Sequence, residues 1–248
     1  MAQYAPSEKL RKVKADMSLN INPAGVSPLV MQKLRNLKET DIYHYYPENQ
    51  ELIRLVSKYI KAKPANILFG DGCDGCLELV AKTFISKGDR VIIPIPTFHR
   101  YEFHSRIMGG EPVFVEMSDF TYSADAVTKM ANQTGSKMIF LCNPNNPTGI
   151  EINVEEITKT LDAFDGIVVI DEALADSSEI ATSQLLGKYQ NLIVVRSFSK
   201  IFGLASLRIG YIVAAEEIIT EIRKTTSPFK VNGLAQELAV EAIKDTEH

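Results

Sequence analysis

Residues 167–173 read Ile-Val-Val-Ile-Asp-Glu-Ala, and residues 192–200 read Leu-Ile-Val-Val-Arg-Ser-Phe-Ser-Lys. In both, apolar residues fill consecutive positions instead of alternate ones. A strand wet on one face alternates, whereas a strand covered on both faces does not. The two stretches therefore predict central strands of a mainly parallel sheet with helices on each side. Working outward, the chain repeats the pattern. Strands are predicted at Arg90–Ile95, Pro112–Met117, Met138–Cys142, Ile167–Asp171, Leu192–Arg196 and Ile209–Ala214. Helical spacing fills Glu48–Ala62, Asp74–Ser86, His99–Met108, Ser123–Asn132 and Val154–Phe164. Such alternation is the signature of an α/β fold joined by right-handed crossovers. Asn153 is placed to cap the helix that follows it, with Glu155 and Glu156 suiting the dipole of its first turn. Ser27-Pro28 opens a helix over Leu29–Leu37, with proline at the first helical position. Residues 1–45 lack the alternation and read as an arm with one helix. Asn232–Asp245 reads as a helix with Leu234, Leu238, Ala239 and Ala242 along one side.

The 248 residues are 45% hydrophobic and 23% charged, with 14 Gly and 11 Pro. This is ordinary globular composition, which excludes a collagen-like, disulfide-stapled or disordered chain. Lys and Arg number 27 against 31 Asp and Glu, a net charge of −4, which argues against a nucleic-acid surface. No run of ~18 apolar residues suggests a membrane span, and residues 1–16 have no apolar core of a leader. A cytoplasmic protein is expected. Three cysteines do not make a disulfide framework. Cys73 and Cys76 form a C-x-x-C, but Cys142 and the four histidines offer no second spaced pair for zinc. A redox pair would need a thioredoxin-like βαβ context; two small, partly buried thiols are the plainer reading.

Four stretches carry possible chemistry. Gly70-Asp71-Gly72-Cys73-Asp74 precedes a helical run, where successive amides at a helix start can converge on a phosphate. It is not G-x-G-x-x-G and no clear strand reads before it, so a turn with a helix cap competes with that reading. Asn143-Pro-Asn-Asn146-Pro-Thr-Gly149 follows a strand, at the end where α/β folds bind ligands; a β-turn loop would use the same residues. Asp171-Glu172-Ala173 ends a buried strand, where a carboxylate needs a partner unless it reaches solvent. Ser197-Phe-Ser199-Lys200, followed by Gly203 and Arg208, puts an amine beside an apolar turn. Desolvation there would lower its pKa and make it a nucleophile toward carbonyls, although most lysines are surface residues. Together, at one sheet edge, the four offer a phosphate nest, an amide, a carboxylate and an amine, the parts needed to hold pyridoxal phosphate.

The order and spacing of CNPNNPTG, DEA and SFSKIFGLASLRIGY, with Arg208 eight residues after Lys200, resemble the fold-type I aminotransferases. LNINPAGVSP, YHYYP and the NPNNPTG form are most similar to histidinol-phosphate aminotransferases, and threonine-phosphate decarboxylases share much of this pattern. The resemblance covers residues 17–245. It implies pyridoxal 5′-phosphate as cofactor. Lys200 would be the amine joined to it, and later the carrier of the proton between substrate carbon and cofactor. Asp171 would pair with the ring nitrogen, Asn146 would bond the ring 3′ oxygen, and Phe98 would stack on the ring. The Cys73 and Asp74 amides with Ser197, Ser199 and Arg208 would surround the phosphate. Tyr46 would reach a neighbouring subunit's site, implying a homodimer. The reaction implied is transamination between a small-molecule amino donor, histidinol phosphate, and a keto acid, 2-oxoglutarate. A decarboxylating lyase is the alternative, and a cofactor-holding remnant without catalysis a third. The implied division is an arm and helix over 1–45, a cofactor-binding large domain over 46–231, and over 232–248 the start of a helix toward a small C-terminal domain that the sequence lacks.

Three departures accompany the resemblance. The family's usual tyrosine after DEA is Leu174, which removes a phenol from the 3′ oxygen. The acidic residue usual after Asp74 is Gly75. The small domain, with its substrate-binding arginine, has no counterpart before His248, so a truncated chain with an open apolar face on its last helix is expected.

Overall fold

A computed structural model describes residues 19–39, 49–175 and 182–248. Its frame is a seven-stranded sheet: β1 (Ile67–Gly70), β2 (Arg90–Ile95), β3 (Glu111–Glu116), β4 (Met138–Cys142), β5 (Ile167–Asp171), β6 (Leu192–Ser197) and β7 (Gly210–Ala214). The spatial order is β1-β7-β6-β5-β4-β2-β3. Pairs β2–β3, β2–β4, β4–β5 and β5–β6 are parallel, and β7 is antiparallel to both β6 and β1. The sheet is thus mixed but mainly parallel. β4, β6 and β7 are buried at every position, as their continuous apolar runs require.

The helices are α1 (Pro28–Arg35), α2 (Gln50–Ile60), α3 (Gly72–Phe84), α4 (Arg100–Ile107), α5 (Ala124–Thr134), α6 (Val154–Ala163), α7 (Glu216–Thr225) and α8 (Gly233–Lys244). Alternate strand residues serve opposite faces. Ile92, Val168 and Ile170 join a core with Val30 of α1, Leu52 of α2, Val127 of α5, Ile157 of α6 and Leu238 of α8. Val91, Ile93 and Val169 join a second core with Leu77 and Val80 of α3, Tyr101 of α4 and Ile222 of α7. Side chains on ordinary strands point to opposite faces in turn, so the sheet lies between two apolar layers.

Helix starts follow the sequence chemistry. Ser27, Asn49, Ser123, Asn153 and Asn232 each accept a backbone N–H at a helix start. The predicted strands and helices agree with the structure to within about two residues at each end, as expected of boundaries. Two elements differ. β1 ends at Gly70, the first residue of Gly-Asp-Gly, where the sequence shows no clear strand, and α7 lies where no helix is predicted. The open apolar face expected on the last helix is also corrected. α8 packs against α1 and α2, and Leu238, Ala239 and Ala242 are buried; of the four residues on that side only Leu234 is exposed.

Candidate active site

The C-terminal ends of β2, β4, β5 and β6 lie on one edge of the sheet, where the loops following parallel strands form ligand crevices. Because β7 runs the other way, its first residue, Gly210, arrives at the same edge, opposite both Gly70 and Ser197. A cavity of about 740 Å³ opens there. Its walls include Cys73, Asp74, Phe98, Asn146, Asp171, Ser197, Ser199, Lys200 and Arg208. Every site residue expected from the sequence therefore meets in one cavity, except Tyr46, which lies outside the described residues.

Asp171 closes β5 and is buried. It accepts hydrogen bonds from the Tyr101 hydroxyl to Oδ2 at 2.9 Å, the Cys73 thiol to Oδ1 at 3.2 Å and the Ala173 amide to Oδ1 at 2.9 Å. Burial pushes its pKa above the ordinary value, and the three donors oppose that rise. Burial also raises the Cys73 thiol and the Tyr101 phenol, with the Asp171 charge adding to both, so these remain protonated donors.

Lys200 follows β6. Its Nζ donates to the Leu19 carbonyl at 2.7 Å. Burial lowers its pKa, and the nearby Cys73 and Asp171 act against that fall. The Leu19–Ile21 segment thereby roofs the cavity. It is anchored by Asn22, whose Nδ2 donates to the Ile201 carbonyl at 2.7 Å. Gly203 (φ +69°) permits this approach: a Cβ there would sit 2.4 Å from the Gly25 carbonyl oxygen.

At the opposite wall, α3 begins with no side-chain cap. Its first-turn amides, Cys73 and Asp74 among them, lack intrahelical partners and stand beside Arg208, Ser197 and Ser199 on the cavity wall. Gly72, at φ +82°, leaves room for the Arg208 guanidinium, since a Cβ would lie 2.6 Å from its Nη2. Gly-Asp-Gly thus joins the end of β1 to the start of α3, with the Arg208 guanidinium facing it. Ser197 Oγ accepts the Ser199 amide at 2.9 Å.

The asparagines of the loop after β4 divide their labour. Asn143 bonds both ways with Ile152, and Asn145 donates to the Pro96 carbonyl and Thr148 Oγ1. Both are buried, which leaves Asn146 on the cavity wall. Thr97 donates to Asn145 Oδ1 at 2.8 Å and so fixes the segment carrying Phe98. Leu174 also lines the cavity.

Sequence reasoning missed several residues here. Tyr101, Arg100 and His104 lie on the α4 stretch but were not singled out. Arg100 grips Asp74 with two bonds, 2.7 and 2.9 Å, and His104 Nε2 meets the same carboxylate at 2.9 Å. Behind the site, Arg196 pairs with the buried Glu172 at 2.6 Å, and Thr182 also bonds that carboxylate. A period or a motif does not reveal such pairings. Cys73, Cys76 and Cys142 are free thiols. Among the described residues no group of three or more His, Cys, Asp or Glu is placed to hold a metal ion, and no helix is long and apolar enough to cross a membrane.

The arrangement suits an anion at the α3 end, a protonated ring nitrogen at Asp171 and a carbonyl at Lys200. The chain is 35% identical over 264 residues to a histidinol-phosphate aminotransferase of Caldicellulosiruptor saccharolyticus, covering 100% of this chain and 73% of that one. The structure of histidinol-phosphate aminotransferase from Sinorhizobium meliloti, in complex with pyridoxal-5′-phosphate, superposes with a TM-score of 0.85 at 25% identity, covering 92% of this chain and 63% of that one. L-threonine-O-3-phosphate decarboxylase from Porphyromonas gingivalis gives a TM-score of 0.75 at 29% identity, covering 90% and 69%. The family model for aminotransferase class I and II matches residues 12–248. The chain therefore belongs to the aminotransferase class I and II family.

Proposed function

We propose that the cavity holds pyridoxal 5′-phosphate and that the protein transfers amino groups, with histidinol phosphate as donor and 2-oxoglutarate as acceptor. One observation carries the reading: a burial-lowered lysine shares one cavity with a buried carboxylate, and a helix start flanked by arginine and serines forms another wall. The donor set fits the group. A phosphate suits free helix-start amides beside a guanidinium, and an anion beside a pyridine nitrogen keeps it protonated.

When bound, the cofactor supplies an aldehyde that joins to amines and a cationic ring that withdraws electrons from the substrate's Cα bonds. The chain's own residues do the rest. The lowered pKa of Lys200 leaves more of its amine neutral, free to attack a carbonyl and then to carry a proton. Asp171 would hold the proton on the ring nitrogen. Asn146 would bond the ring hydroxyl, and Phe98 would pack on the ring. The Cys73 and Asp74 amides, Ser197, Ser199 and Arg208 would hold the phosphate. Leu174 offers no phenol, which leaves Asn146 as the main partner of the 3′ oxygen.

The likeness to histidinol-phosphate aminotransferases supports this substrate pair. We further propose residues 46–231 as the cofactor-binding unit, and a cytoplasmic homodimer as the working form. The Porphyromonas decarboxylase favours a second reading, a lyase acting on threonine phosphate. A spectroscopic test separates them. Histidinol phosphate should abolish the visible band of the cofactor-loaded protein, and 2-oxoglutarate should restore it. Release of CO₂ from threonine phosphate, with no response to histidinol phosphate, would favour the lyase. A band indifferent to both would leave a binding protein.

A further inference from the structure

We propose that Tyr101 and Cys73 are positioning residues for Asp171: their O–H and S–H hold its carboxylate ionised and fix both oxygens, so that it meets the cofactor's ring nitrogen as an aligned anion. The inference rests on reading Asp171 as the ring-nitrogen partner.

The geometry argues for it as follows. Asp171 is only 4% exposed, and a carboxylate taken out of water tends to take up a proton. A protonated Asp171 would compete with the ring for hydrogen-bond donation and would lose the charge that holds the ring proton. The three donors that reach it are all neutral, and they divide between its oxygens. Tyr101 serves Oδ2, while Cys73 and the Ala173 amide serve Oδ1. Hydrogen bonds to the charged form favour that form.

Tyr101 is well fixed for the task. It is fully buried. Its ring stacks on Phe140 with centroids 5.2 Å apart and planes within 8°, and Phe98 meets its edge at 5.8 Å. Its carbonyl receives Ser105 Oγ at 2.7 Å. Cys73 is held by the first turn of α3. The two donors thus come from different helices, α4 and α3, onto one residue of β5. Among the described residues, the other titratable groups around the carboxylate are Asp74 and Cys76 on α3, Cys142 at the end of β4 and Lys200 after β6. Substitution of Tyr101 or Cys73 removes none of these, so their influence is a common background.

The test titrates the Asp171 carboxyl in the cofactor-free chain, by the NMR shift of ¹³Cγ-labelled aspartate assigned through its loss in Asp171→Asn. Tyr101→Phe keeps the ring and its packing and removes only the hydroxyl. It should raise the midpoint by about one pH unit, the effect of one hydrogen bond to a charged group. Cys73→Ala should also raise it, and Cys73→Ser should restore it by returning a donor. A midpoint unmoved in both Tyr101→Phe and Cys73→Ala would overturn the proposal.

The second readout compares affinity for pyridoxal phosphate with that for its carbocyclic analogue, in which carbon replaces the ring nitrogen. Tyr101→Phe should weaken the former roughly three- to tenfold and leave the latter unchanged. Equal weakening of both would mean a merely structural role and would overturn it. Failure of the underlying reading shows separately, as no binding of either molecule by the unaltered chain. That result overturns the claim on the ring nitrogen, while the carboxyl titration still decides whether the donor pair governs Asp171.

Discussion

Asp74 illustrates how a single residue can carry two duties in this fold. Its backbone belongs to the first turn of α3 at the cavity, while its carboxylate takes three hydrogen bonds from Arg100 and His104 on α4. Burial would raise its pKa, but the bonds from His104 and Arg100 outweigh burial and lower it from 3.8 to about 2. A carboxyl whose folded pKa is depressed adds stability above its unfolded pKa and loses it as pH falls toward the folded value. The side chain is 40% exposed, so solvent screening keeps this contribution on the order of 1 kcal/mol. Thermal stability should therefore decline between about pH 4 and pH 2, and the decline should be shallower in Asp74→Asn. Parallel acid profiles for the two proteins would contradict that assignment.

Among the elements, β7 and α3 meet closely at Gly210. A Cβ on Gly210 would lie 2.7 Å from the Arg196 carbonyl oxygen, 2.7 Å from the Gly72 carbonyl carbon and 2.8 Å from the Cys73 amide nitrogen. All three are backbone atoms of β6 and α3, with little freedom to yield. Gly210→Ala should cost roughly 1–3 kcal/mol in urea unfolding and should weaken cofactor binding by pushing the α3 start away from Arg208. Unchanged stability with unchanged binding would refute this account of the glycine. The elements that sequence reading found and missed follow the same logic. Long apolar runs such as Ile167–Asp171 announced themselves because covered strands need them. β1 has only four residues, Ile-Leu-Phe-Gly, and borders a proline turn and the glycine pair, so no period could develop. α7 carries Ile218, Ile219 and Thr220 in mid-helix, β-branched residues of modest helix preference, and its burial of Ile219 and Ile222 overrides them. Asn146, Asp171 and the Ser197–Lys200 stretch were legible because each ends or follows a long apolar strand. Their partners were not: Tyr101 bonds Asp171 across 70 residues and Lys200 bonds Leu19 across 181, and only the folded sheet brings such distant positions together.

At the scale of the whole molecule, two apolar layers cover the faces of the sheet, and polar groups at the strand ends line the cavity between the α3 start and the Leu19–Ile21 segment. α8 returns across the front to pack on α1 and α2, and the Ser27 hydroxyl bonds Asp245 just beyond its end, which ties the roof segment's helix to the end of the described chain. Lys200, alone among the lysines, is proposed to take the cofactor. Incubating the whole chain with pyridoxal phosphate, reducing with sodium borohydride, digesting and locating the adduct by mass spectrometry tests this. A stoichiometric phosphopyridoxyl group is expected on the peptide carrying Lys200, and none there when the same experiment is run on Lys200→Ala. An adduct scattered over surface lysines, or equal labelling of the Lys200→Ala protein, would contradict it.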